Sequence, residues 1–193
     1  MRIIWLKIMF FIGVLVIIAG SLSYGAQDRA TSLMDQDYFP LVHEALQEAK
    51  ESIYVVMHIM EIDVGIKDNP AEVLVQDLID AHQRGVKVKV ILDKNLPEVE
   101  EVLGGYERVG NKNDNAYKLL KSKGLNVTFD SPDVITGSCV VVIDSYISII
   151  GSTYWSYQGL VENFESSSMI ESKEVAKVRM DYIHKIEAEI DKH

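Results

Sequence analysis

The sequence is poor in cysteine, in positive charge and in recognisable phosphate or metal motifs. Cys139 is its only cysteine in 193 residues, which excludes an internal disulfide framework and any multi-cysteine zinc site. Lys and Arg number 19 against 29 Asp and Glu, a net charge of -10. That balance disfavours a protein that grips nucleic acid through a general basic field. There is no Gly-rich phosphate loop, no Ser-His-Asp order motif and no zinc spacing, so neither a cofactor nor a metal is expected. No internal repeat or low-complexity stretch interrupts the chain. What is present is 48% hydrophobic and 25% charged sequence, enough for one domain with a packed core.

The first 26 residues stand apart. Arg2 and Lys7 precede an unbroken apolar run from Ile8 to Gly20, and small residues follow at Ser21, Ser23, Gly25 and Ala26. This is the layout of a signal peptide. The apolar core is short for a bilayer span, although Ile3 to Leu22 would reach, so a cleaved signal and a retained N-terminal membrane anchor both remain open. Either one places the remainder outside the cytoplasm, in the periplasm or beyond, membrane-anchored or free. No acidic residue falls in this segment, so the remainder holds 17 basic and 29 acidic groups, a net of -12. An anionic membrane surface or a polyphosphate is repelled by that field.

Beyond it, helical and strand patterns alternate. Asp37 to Ser52 reads as a helix, and Ile53 to Met60 as an apolar strand covered on both faces. Asn69-Pro70-Ala71-Glu72 has the N-cap, first-position proline and acid of a helix start; that helix runs to Arg84 and stops at Gly85. Val86 to Asp93 is a strand. Asn95 to Lys112 reads as an acidic loop, either a solvated connection or a lid. A short helix over Asn113 to Gly124 and a strand over Leu125 to Asp130 follow. Cys139 to Asp144 and Tyr146 to Ile150 form a tight strand pair across Asp144-Ser145. A strand is expected near Ser166 to Ile170. The last helix, Lys173 to Asp191, places Val175, Val178, Tyr182, Ile186 and Ile190 on one stripe. The expected fold class is α/β, a sandwich with a mixed sheet flanked by helices on both faces.

The stretch Thr136 to Glu165, with GVKVKVILD and the element order, resembles the phospholipase D superfamily, most of all its small single-domain branch of exported endonucleases and phosphodiesterases. The resemblance covers about residues 38 to 190, within a domain placed at 38–192. The family signature is His-x-Lys, four residues, Asp, then Gly-Ser-x-Asn, with a later Asn-x-Glu. Asp144, Gly151, Ser152, Asn163 and Glu165 match it. The same count sets Gly137 where the family has histidine, Cys139 where it has lysine and Tyr154 where it has asparagine.

The resemblance implies that a histidine attacks phosphorus while lysine and asparagine hold the non-bridging oxygens. It also implies that a single-domain chain completes its site as a homodimer. Losing one oxyanion donor costs on the order of 10²–10³ in rate, so loss of nucleophile, cation and amide together leaves no family-type catalysis. His58, on the first strand, is the one plausible substitute. His43, His82 and His184 fall on helices, and Ser138 has no identifiable base. Cys139 reads as a buried strand residue and Trp155 and Tyr157 as packing residues. Glu61 and Asp63 read as solvated acids at a turn. The expected function is a non-catalytic binding or scaffold role for a phosphate-containing or protein ligand, with nucleic acid disfavoured. The alternative is a phosphodiesterase working through a non-standard site.

Overall fold

A computed structural model describes residues 28–62, 65–103 and 105–192; the N-terminal segment read as signal or anchor, and Asp63, lie outside them. Among the described residues no helix is long and apolar enough to cross a membrane.

Among the described residues nine strands and four α-helices follow in chain order: β1 (Arg29–Met34), α1 (Tyr38–Glu48), β2 (Ser52–Met57), α2 (Pro70–Gln83), β3 (Lys87–Leu92), β4 (Pro97–Val102), β5 (Gly105–Asn111), α3 (Asp114–Ser122), β6 (Asn126–Phe129), β7 (Cys139–Ile143), β8 (Ile147–Gly151), β9 (Ser166–Glu171) and α4 (Lys173–Ile190). Seven strands form one sheet in the order β1-β9-β8-β7-β2-β3-β6. The β2, β3 and β6 strands are parallel, and the remaining pairings are antiparallel. The sheet is therefore mixed, as expected.

Helices cover both faces because the central strands are apolar on both. Ile53, Val55, Met57, Val141 and Ile143 join the larger core cluster with residues of α1, α2 and α3. Their alternates Tyr54, Val56, Val140 and Val142 join a smaller cluster with Ala176 and Ile183 of α4. Period-two alternation thus sorts one strand's side chains between two helix layers. The α2 start behaves as its sequence demands: Pro70 opens the helix and the Asn69 side chain accepts the Ala71 N–H. Gly85, with φ +90°, ends it in the left-handed conformation glycine tolerates.

Three expectations change. Asn95 to Lys112 is an antiparallel hairpin, β4–β5, and not a loop. Every residue of β4 is exposed, so the strand has no apolar face to betray it in sequence; backbone pairing alone makes it a strand. On α4, Ala176 and Ile183 face the sheet, and Ile186 and Ile190 of the expected stripe pack beside them, while Val178 and Tyr182 are exposed, so the buried stripe is shifted from the one expected. Residues 29–34, outside the sequence-based domain, form the edge strand β1 against β9.

Candidate functional site

Strand direction gathers the chemistry at one end of the sheet. The carboxyl ends of β2, β3, β6 and β8 and the amino ends of β7 and β9 all lie there, as the register requires. Open α/β sheets place their sites at the carboxyl ends of parallel strands. His58, Asp93 and Asp130 each follow such an end, and Gly137, Cys139, Ser152 and Glu165 border it.

The β7–β8 hairpin turns through Asp144 and Ser145, both with φ near +50°, the signature of a type I′ turn. This turn is at the opposite end of the sheet. Asp144 accepts backbone N–H groups from Lys50 at 2.9 Å, Glu51 at 2.7 Å and Ser52 at 2.9 Å. Partial burial works to raise its pKa, but those three N–H groups outweigh it and hold the carboxyl below its ordinary value. Asp144 is therefore a tie between the hairpin and the chain entering β2, a full strand length from the other matched residues.

At the site end, Gly151 packs flat on β9. A Cβ there would lie 2.1 Å from Ser167 Oγ and 2.4 Å from the Ser166 carbonyl oxygen, so nothing larger than glycine fits. Ser152 Oγ donates a very short hydrogen bond to Glu165 Oε2 and accepts the Ser166 N–H at 3.0 Å. Asn163 Nδ2 donates to Glu165 Oε1 at 3.0 Å and to Tyr154 Oη at 3.0 Å. The Glu165 N–H in turn donates to Asp35 Oδ1 at 2.7 Å. Ser152, Tyr154, Asn163 and Glu165 are thus brought together, each bonded to another member. Among the described residues no Lys, Arg or His forms an ion pair with Glu165, although the carboxylate is buried.

Cys139 lies opposite Gly151 and beside Met57. Burial pushes its thiol up to about 11, with the Glu165 carboxylate adding to the rise and the His58 backbone N–H opposing it. A thiol so held is not a thiolate at neutral pH, which removes it as a nucleophile. Gly137 is exposed, and a Cβ built on it meets nothing within 4 Å.

His58 occupies a different setting. Its N–H donates to the Ser138 carbonyl at 3.0 Å, so it stands across from Ser138 and one step out of phase with Cys139. Strand alternation sends the two side chains to opposite faces. His58 Nδ1 lies 2.9 Å from Asp93 Oδ2 and 3.2 Å from the Thr136 carbonyl. The Asp93 side chain is fully buried and that of His58 is 27% exposed. Two acceptors at Nδ1 place the proton of a neutral imidazole there, leaving Nε2 as the basic nitrogen. Asp93 ends the VKVKVILD strand and was not marked by any motif; only the parallel pairing of β2 and β3 discloses its role. Asn113 is likewise visible only in the fold. Its side chain donates at 2.9 Å to the carbonyls of both His58 and Asp93, locking the two strand ends.

The other candidates have ordinary employment. His43 pairs with Asp77 at 2.7 Å, and His184 with Glu187 at 2.9 Å. Ser138 Oγ bonds Tyr182 Oη at 2.7 Å. Trp155 is buried with its indole N–H donating to Tyr38 Oη at 3.1 Å, a packing role, as expected. Glu61 faces Lys112 at 3.8 Å. Among the described residues no group of three His, Cys, Asp or Glu side chains is arranged to hold a metal ion.

Comparison with known proteins agrees with this frame. Residues 42–186 match the family described as cardiolipin synthase, PLD-like domain. The chain is 29% identical over 135 residues to a phospholipase D of Rickettsia typhi, covering 69% of this chain and 55% of that protein. A Rickettsia prowazekii phospholipase D is 27% identical over the same length. The chain spans about half the length of these curated relatives. Among solved structures it is similar in fold to Nuc, a phospholipase D family member from Salmonella typhimurium, with a TM-score of 0.68 and 18% identity over 84% of this chain and 96% of that one. NucT from Helicobacter pylori is similar at a TM-score of 0.62 and 16% identity, over 84% and 98% of the two chains. The match runs through more than half of the sequence, from α1 into α4, and the chain belongs to the phospholipase D-like family.

Proposed function

We propose that this is an exported phospholipase D-like domain, tethered by or released from its N-terminal segment, that binds a partner and does not perform the family's phosphodiester chemistry. On the proposed register Gly137, Cys139 and Tyr154 stand where His, Lys and Asn would act. The observation that carries this reading is the self-contained, acidic cluster of Ser152, Asn163 and Glu165. Its donors are turned on its own carboxylate, and among the described residues no Lys, Arg or His forms an ion pair with that carboxylate. A phosphate approaching Glu165 meets like charge with no compensating ammonium. The net of -12 on residues 27–193 disfavours nucleic acid for the same reason. A homodimer, the arrangement that the resemblance implies, would bring two such clusters together without restoring a nucleophile or a cation.

Repair tests the register. The folded triple variant Gly137→His, Cys139→Lys, Tyr154→Asn should gain binding of inorganic phosphate that the natural protein lacks, read by calorimetry. No gain in a folded variant would count against the register, and phosphate binding by the natural protein would count against the vacant site.

The His58–Asp93 pair favours a second reading. A histidine oriented at Nδ1 by a buried carboxylate is the arrangement of an activated base or nucleophile. Under that reading the protein is a phosphodiesterase working from His58, and its activity falls when His58 is removed.

A further inference from the structure

An unpaired sheet edge is a template for another strand. Among the described residues four strands lie at edges, β1 and β6 in the large sheet and β4 and β5 in the hairpin sheet. Three of them are protected. The β6 strand is short, Asn126–Phe129, and Lys121 Nζ reaches it to donate to the Val127 carbonyl at 3.3 Å. The hairpin carries Pro97, Glu98, Glu100, Glu101 and Glu107, and its register shifts between Glu98 and Val99. Proline, charge and bulges are the ordinary means of keeping an edge single. The β1 strand, Arg-Ala-Thr-Ser-Leu-Met, has no proline and no bulge, and its one charge stands at its first residue.

The register shows which β1 groups are free. The Asp35 N–H donates to the Glu165 carbonyl at 3.1 Å, one step beyond the Met34–Ser166 pair. Alternation along an antiparallel ladder then turns the main-chain groups of Leu33, Thr31 and Arg29 towards β9, and those of Met34, Ser32 and Ala30 away from it. Among the described residues nothing is hydrogen-bonded to these outward N–H and C=O groups. The side chains of the same three residues are exposed, whereas Leu33 on the other face is buried.

We propose that β1 pairs antiparallel with β1 of a second copy of this chain, Ser32 opposite Ser32 across a twofold axis, so that two large sheets join edge to edge. A twofold interface must be complementary to itself, and this register is. It pairs every outward residue of both strands, Ser32 with Ser32 and Ala30 with Met34. On the other face Thr31 meets Leu33, and Arg29 of each copy faces Asp35 of the other, opposite charges in cross-strand positions. A shift of one residue would set core faces against solvent faces, and a shift of two takes Ala30 or Met34 out of the paired strand. This contact differs from the homodimer that the resemblance implies, which meets at the site. It goes beyond the binding role proposed above and does not depend on it, because main-chain groups carry it.

The test uses the full chain in detergent micelles. A Ser32→Cys variant should form a disulfide-linked dimer under mild oxidation with copper phenanthroline, read on a non-reducing gel. A hydrogen-bonded antiparallel pair holds its Cα atoms about 5.5 Å apart, within the span of a disulfide. Cys139 is buried, so the natural protein should not cross-link. Ala30→Cys alone should not cross-link either, but an equal mixture of Ala30→Cys and Met34→Cys should. Light scattering without oxidant should give the dimer mass for the natural protein and the monomer mass for Ser32→Lys, which sets two ammonium groups opposite each other. Thermal unfolding checks that Ser32→Lys is folded, and the cysteine pairs test the register even where it is not. A monomeric natural protein, as expected if the edge takes an extended segment of some other protein, would overturn the proposal. So would a folded Ser32→Lys that stays dimeric, as expected of a dimer held at the site or by the N-terminal segment. Ser32→Cys that cross-links no faster than Ala30→Cys would also overturn it.

Discussion

The two ends of the β7–β8 hairpin differ in what their residues hold together. At the turn end, Asp144 still collects three backbone N–H groups and ties the hairpin to the chain entering β2. At the open end, Gly151 allows β8 to lie against β9, while Ser152 and Asn163 turn their donors on the Glu165 carboxylate. Asp144 and Gly151 serve main-chain contacts, and under the proposed reading Gly137, Cys139 and Tyr154 stand where the nucleophile, cation and amide donor would be. Fold and chemistry are separable because they depend on different atoms of the same motif: one on main-chain contacts, the other on side-chain tips.

Two glycines give the sharpest way to break this contrast. Gly151→Ala forces a methyl group into Ser167 and the β9 backbone, and should cost about 3 kcal/mol or prevent folding, since overpacking against backbone cannot relax. Gly137→Ala enters open space and should stay within about 0.5 kcal/mol of the natural protein, as exposed substitutions do. Urea unfolding of both variants reads the difference. Equal losses would mean that the space beside Gly137 is not open.

A smaller effect is expected at the turn. Asp144→Ala should lose about 2 kcal/mol, because hydrogen bonds to a charged acceptor are lost and Ala tolerates the positive φ less well. The Asp144 pKa is depressed in the folded state, so its contribution is present above the unfolded value and lost as pH falls through the lower folded value. The stability gap between natural protein and variant should therefore be full at pH 7 and shrink below about pH 4. A gap independent of pH would mean that the carboxylate charge contributes nothing at this turn.

Much of this was legible in the sequence, for identifiable reasons. Val140 to Ile143 and Ile53 to Val56 are buried on both faces, and continuous apolar runs declare such strands. Asn69-Pro70 and Gly85 mark helix ends through local backbone chemistry alone. The tight β7–β8 pair across Asp144-Ser145 was legible too, because two apolar runs flank a two-residue turn. The β4–β5 hairpin was hidden because the Glu and Val residues of β4 are exposed on both faces. The partnership of His58 with Asp93 was hidden because 35 residues separate them and only the pairing of β2 with β3 brings them together. Asp35 was hidden likewise: its tie to Glu165 spans 130 residues and rests on a backbone N–H, which no sequence pattern records.

The central claim, that the frame persists without the family's chemistry, is tested most directly by phosphodiester hydrolysis. The purified protein would be assayed on a chromogenic diester, DNA and a phospholipid, beside folded His58→Ala and Ser152→Ala variants. The account predicts no turnover above blank on any substrate from the natural protein. Turnover that falls in His58→Ala would contradict it and assign the reaction to the His58–Asp93 pair.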